Sequence, residues 1–374
     1  MTNLCSLPAE LTEQILDGLC VNHTSPNSFR DRAYFDSYLG STDGVLRDQV
    51  VSLAALANLC RTSKQFQRSA TWRLYHTLAP GSRAMPNWWC LARTLITQPW
   101  LAALARHLVM LQFIRESPFK VVPPATAAAD WSIPPEVTTH FSRRAALVFP
   151  DAIELADHLA NPSSSLHSSA VQSLFIILCP AVETLCCVAD FVDFNFTLCT
   201  PASLPALRSL EIRSWDNSCT QDGFDVEAAL LLLDAAPGLV HLRLVQPSGE
   251  IPRSKPDKNG HQMLQQVKEL ELLRAVSETD ELASWMRACP ALEKLRYDDG
   301  GDPNSKYYQF RPGEVVEAVV QHAPMLTEFV LELVRWGPAG DSRGLIVGEM
   351  AKAKELLEAR GVVCKFSTIE PHDN

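Results

Sequence analysis

Cysteine and histidine carry the strongest chemistry in this 374-residue chain, and several of them gather in one stretch: Cys179, Cys186, Cys187 and Cys199, with His158 and His167 upstream. A structural zinc site needs close ligand pairs, so that one turn delivers two of them to the ion. No Cys-x-x-Cys pair occurs here. The cysteines sit instead in apolar surroundings, Phe175-Ile176-Ile177-Leu178-Cys179 and Leu185-Cys186-Cys187-Val188, where a reduced thiol acts as a small hydrophobe. The spacing predicts core packing rather than a metal or other cofactor. Hydrolytic and phosphate-handling signatures are equally missing: there is no Gly-x-Ser-x-Gly elbow, no Gly-x-x-x-x-Gly-Lys loop and no His-Glu-x-x-His helix. Asp298-Asp299-Gly300-Gly301-Asp302 lacks the alternating ligands and terminal Glu of a calcium loop, and reads as a solvated turn. The chain reads as non-enzymatic.

A second group is charged rather than nucleophilic, and a repeat organises it. Cys179-Pro180-Ala181-Val182, Leu204-Pro205-Ala206-Leu207, Ala236-Pro237-Gly238-Leu239, Cys289-Pro290-Ala291-Leu292 and Ala323-Pro324-Met325-Leu326 each open a leucine-spaced segment, and Val267-Lys268-Glu269-Leu270-Glu271-Leu272 is a copy without Pro. Apolar residues fall at +2, +5 and +7 from each Pro. Pro ends a helix by removing a donor and crowding the preceding turn. The +5 and +7 residues then share one face of a strand, and +4, +6 and +8 share the other. The stretches 226–235 and 278–288 have helical apolar spacing, so each unit is a helix plus a strand that must stack on its neighbours to bury its face. An earlier copy spans 89–113, with its strand near 108–111. Residues 345–360 read as a capping helix stopped by Gly361, followed by a strand over 362–366.

The outward strand positions collect Glu211, Arg213, His241, Arg243, Glu269, Glu271, Lys294, Arg296, Asp298 and Glu328. On a curved solenoid they line one concave face, where mixed charge and arginine suit recognition of a protein surface. Solvent-facing strand positions are polar by default, which is the competing account. Trp88, Trp89 and Trp100 suggest a buried packing site at the start of the repeats.

The bulk properties limit the partners. A formal net charge of -10 argues against a sequence-independent grip on nucleic acid. The polar N-terminus shows no basic-plus-apolar leader, and no apolar run approaches the roughly 18 residues of a membrane span. Apolar settings for the eleven cysteines suggest a reducing compartment, cytoplasmic or nuclear.

The first 80 residues have a different character. Leu7-Pro8-Ala9-Glu10-Leu11-Thr12-Glu13-Gln14-Ile15-Leu16 opens a helix: Pro8 suits the first helical position, Glu10 favours the positive first turn, and Leu11, Ile15, Leu16 and Leu19 recur on one face. Leu53, Leu56, Leu59 and Cys60 repeat the pattern, and Ser63 can cap a third helix bearing Phe66. This arrangement resembles the F-box, the helical module that binds the Skp adaptor of cullin–RING ubiquitin ligases, with the usual short turn replaced by an insertion at about 21–49. The segments that follow resemble irregular leucine-rich repeats. The resemblance implies a non-catalytic substrate receptor of an SCF-type ligase, docking a Skp adaptor, and through it a cullin, by Leu7, Pro8, Ile15, Leu16, Leu53, Leu56 and Leu59. It implies capture of a client protein on the repeat face. A repeat scaffold without adaptor binding is the alternative. The expected architecture is an all-α module over 1–80, then an α/β solenoid over 81–374 with one parallel strand per repeat. A loop at about 114–145 and a C-terminal helix–strand cap complete it.

Overall fold

The computed structural model describes residues 9–19, 54–61, 64–78, 85–110, 137, 139, 143, 167–189, 202–214, 224–248, 264–275, 279–299, 312–334 and 342–369. The expected insertion at about 21–49 lies outside these residues, as does the expected loop at about 114–145 apart from residues 137, 139 and 143.

Two helices and a helical segment at 54–61 form the N-terminal module: α1 (Ala9–Leu19) and α2 (Lys64–His76). Leu16, Leu56, Phe66 and Ala70 are buried together, with Leu59, Cys60 and Leu74 packed around them. Arg73 on α2 donates to Glu13 on α1 at 2.6 Å, and the Ser69 hydroxyl donates to the same carboxylate at 2.8 Å. Without a break, α2 continues into β1 (Thr77–Leu78), which belongs to the main sheet. The module and the repeats are therefore joined through secondary structure.

The remaining elements follow in order: α3 (Met85–Thr97), α4 (Pro99–Ala102), β2 (His107–Val109), α5 (His167–Leu178), β3 (Thr184–Ala189), β4 (Ser209–Ser214), β5 (Phe224–Asp225), α6 (Val226–Ala235), β6 (His241–Val245) and β7 (Pro247–Ser248). Then come β8 (Glu269–Ala275), α7 (Thr279–Ala288), β9 (Lys294–Asp299), α8 (Pro312–His322), β10 (Glu328–Val334), α9 (Ser342–Glu358) and β11 (Val363–Ile369). Nine strands make one all-parallel sheet in the order β1-β2-β3-β4-β6-β8-β9-β10-β11, while β5 and β7 pair separately. The order never reverses. Each crossover advances the chain by one strand, which is solenoid-like winding, and the sheet has no switch point of the kind at which doubly wound α/β folds bind cofactors.

The turn entering each strand explains the recurring Pro. The carbonyl of the residue before it accepts the N–H two residues after it, from Val182 to Cys179, Leu207 to Leu204, Leu239 to Ala236, Leu292 to Cys289 and Leu326 to Ala323, at 3.1–3.3 Å. Pro is thus the second residue of a four-residue turn, where its fixed φ is already correct. Leu264 and Val267 make the same turn with Gln265 in the Pro position, at 3.1 Å. One residue later the repeats are stitched together. The Glu183 carbonyl accepts both Arg208 and Ser209 N–H, that of Arg208 accepts Val240 and His241, and that of Lys268 accepts Glu293 and Lys294.

The +5 positions Leu185, Leu210, Leu242, Leu270, Leu295 and Phe329 align across the sheet, and so do Cys187, Ile212, Leu244, Leu272, Tyr297 and Leu331 at +7. Both rows are buried in a single core with helix residues such as Phe175, Leu232, Trp285, Val316 and Leu357. At the far end, Gly361 takes φ +83° and closes α9. Val362 N–H reaches the Leu357 carbonyl and Gly361 N–H that of Glu358. This double closure requires a residue that tolerates the left-handed region. The observed helix starts three residues before the expected 345, and β11 runs on to Ile369.

Candidate functional site: the charged sheet face

The opposite face of the sheet is built from the +4, +6 and +8 positions, and alternation along the strands leaves those side chains no choice of direction. At +6 the register aligns Cys186, Glu211, Arg243, Glu271 and Arg296 on β3, β4, β6, β8 and β9. Charge alternates from strand to strand. Arg243 Nε lies 3.9 Å from Glu211 and 4.0 Å from Glu271, and Arg296 lies 3.9 Å from Glu271 and donates to Glu332 on β10 at 2.6 Å. Arg213 donates to Glu211 along the same strand. At +4, Lys294 donates to Glu269 at 3.0 Å, and His241 Nδ1 lies 3.0 Å from the other Glu269 oxygen. At +3 the alternation recurs on the rim, in Arg106–Glu183 at 3.2 Å and Lys268–Glu293 at 2.6 Å. Burial works against the charge on Arg296, but the hydrogen bond and charge of Glu332, with Glu271 and Asp298, more than offset it and hold its pKa above the ordinary value.

Eight of the ten outward residues read from the sequence divide into two groups on this face. Glu211, Arg213 and Arg243 are buried and paired with one another, so their charges hold the lattice together. His241, Glu269, Glu271, Lys294 and Arg296 retain more exposure, from 22% for the Glu269 side chain to 49% for that of Lys294. The partners Glu332, Arg106 and Glu183 escaped the sequence reading, although the opposite charges at successive +3 positions were a visible signal.

Where the lattice starts, the face is hollow. Thr184, Ser209 and Cys186 place small side chains between His107 on β2 and His241 on β6, and a cavity of about 220 Å³ opens there, bounded further on by Arg243, Glu269 and Glu271. Cys186 is buried as expected but outside the main core cluster: Leu185 and Cys187 enter that cluster, while Cys186 lies on the charged face beside Glu211. Burial and the Glu211 charge raise its pKa well above the ordinary thiol value, so it is a neutral lining group. Among the described residues no group of three or more His, Cys, Asp or Glu side chains is placed to hold a metal ion.

The residues assigned to adaptor docking also separate. Leu16 and Leu56 are fully buried and Leu59 is partly buried, which makes them the module's own core rather than its surface. Ile15 is 42% exposed and Leu11, on the same helix face one turn earlier, is 45% exposed. Leu7, Pro8 and Leu53 lie outside the described residues. Trp100 is 57% exposed rather than buried, and the side chains of Trp88 and Trp89 are outside the described set. Trp72 stacks on His76 at 4.6 Å, and His76 meets His107 edge-on at 4.9 Å, linking α2 to the wall of the hollow.

No family model matches the chain, and no curated protein matches it. No described helix is long and apolar enough to cross a membrane.

Proposed function

We propose that the chain is a non-catalytic substrate receptor of an SCF-type ubiquitin ligase, in which an F-box-like module docks a Skp adaptor and a leucine-rich-repeat-like solenoid holds the client. The observation that carries this reading is the two-sided apolar character of α1. Leu16 faces inward and holds the module, while Leu11 and Ile15 stand exposed one turn apart. Apolar side chains at i and i+4 on an exposed helix form the strip by which one helix seats in another protein's groove. A module fused through α2 to a long sheet suits an adaptor, which acts by proximity: it raises the effective concentration of a client near a second enzyme and makes no bond itself.

The test is capture of a purified Skp adaptor by the full chain, beside Leu11→Asp/Ile15→Asp and Leu16→Ala variants. Binding is expected to fall at least tenfold in the surface variant with no loss of melting temperature. Leu16→Ala is expected to destabilise the module by about 2–5 kcal/mol through the cavity it leaves. A folded chain that does not bind the adaptor removes the ligase assignment.

A further inference from the structure

We propose that the hollow between His107 and His241 receives a basic side chain of the partner protein, its guanidinium or ammonium group seated against Glu271. This names the chemistry of the partner on the same face and rests on the client-binding reading. Size is the first argument. A volume of about 220 Å³ is comparable to that of a single large side chain. That is room for one side chain, and it falls below the roughly 300 Å³ at which small-molecule pockets begin.

The second argument is the balance of donors and acceptors. The lining carries four carboxylates, of which Glu183 is paired with Arg106, Glu211 with Arg213, and Glu269 with Lys294 and His241, while Glu271 has no such close partner among the described residues. Arg208 is committed to the rim, donating to the Gly238 carbonyl at 2.8 Å, and a side chain at Gly238 would collide with it. Among the described residues the Glu271 carboxylate accepts no hydrogen bond: its nearest cations, Arg243 and Arg296, stand at 4.0 and 3.9 Å, beyond hydrogen-bond reach. Thr184 and Ser209 add hydroxyl oxygens on the floor. The charged acceptor left to a guest is the Glu271 carboxylate. A guanidinium brings five N–H donors and an ammonium three, and neither brings an acceptor. An anionic guest would bring no donor to Glu271, and an apolar one would strip water from that carboxylate without replacing its hydrogen bonds.

The probe is the peptide acetyl-Gly-Ala-Arg-Ala-Gly-amide with its Lys, Gln and Glu counterparts, titrated into the full chain carrying labelled histidine and followed by NMR. Saturable shifts of the His107 and His241 rings are expected with the Arg and Lys peptides, weakening as salt is raised, and none with the other two. Ser209→Trp, which fills the hollow, and Glu271→Gln, which keeps its shape, should each lower affinity at least tenfold in chains whose melting is unchanged. Should Ser209→Trp fail to fold, Glu271→Gln decides alone. Absence of saturable shifts, equal binding of the Gln peptide, or unchanged affinity in a folded variant overturns the proposal. None of these results bears on adaptor capture, which is read at Leu11 and Ile15, so the two failures are separable.

Discussion

Cys179 and Cys289 stand immediately before the prolines of their turns, where each carbonyl closes the turn and each side chain fills the core. Burial pushes both thiols up to about 12. Below the ordinary thiol value of 9.0 both folded and unfolded chains keep these protons, so the two groups add no pH dependence there. Between pH 9 and 12 the unfolded chain releases them and the folded one cannot, and stability falls by about 1.4 kcal/mol per pH unit for each thiol. The urea midpoint should therefore drop between pH 9 and 11, and the drop should be shallower in a Cys179→Ala/Cys289→Ala variant. Equal slopes in the two chains would contradict the assignment. At the same scale the limits of reading a sequence are visible in Cys186. Its apolar neighbours suggested the core, but strand alternation places it between Leu185 and Cys187 on the other side. Period outranks neighbourhood within a strand.

Among the elements, the ion pairs run between strands rather than out toward solvent. The charge sequence Glu211, Arg243, Glu271, Arg296 makes each strand the favourable neighbour of the next, and a strand displaced by one place would bring like charges together. This is a structural use that differs from both sequence accounts of these residues, a partner-binding face and default strand polarity. Arg243→Ala, which leaves the buried Glu211 and the partly exposed Glu271 partly uncompensated, is expected to cost about 3 kcal/mol. Lys294→Ala, whose side chain is half exposed, is expected to cost at most about 1 kcal/mol. Chemical denaturation of the two variants compares them, and equal costs would show that the lattice carries no special weight. The strands and turns were legible because Pro, a small residue before it and leucines at +5 and +7 each answer a separate local demand: fixed φ, tight packing and a buried face. Register was legible for the same reason, even in the copy where Gln265 replaces Pro. What could not be read was which outward charges would meet, because pairing depends on neighbours 25 to 37 residues away in sequence. The two-residue strand β1 was absorbed into the helical module for want of length.

For the molecule as a whole, cohesion passes from neighbour to neighbour. Interior strands such as β4 and β6 are bonded on both sides, while β11 is paired to β10 alone in the main sheet. Amide exchange should therefore be slowest in β4 and β6 and faster toward both edges, β1 and β11, as repeat stability adds up. Uniform protection over all nine strands would mean that the sheet opens as one unit. Lys365, 66% exposed on β11, places a charge on the terminal strand, a common guard against edge-to-edge pairing.

The unbroken passage from α2 into β1 has a metrical consequence. Strands of a sheet are set about 4.8 Å apart, so with the module fixed to the first strand the sheet is a graduated rule with its zero at the helices. The hollow stands near the low end of that scale and Lys365 at the high end. Under the proposed reading, a client gripped one strand further along would be carried about 5 Å further from the adaptor docked on the module. Lengthening the array by one repeat would change that reach by a single division without altering either grip.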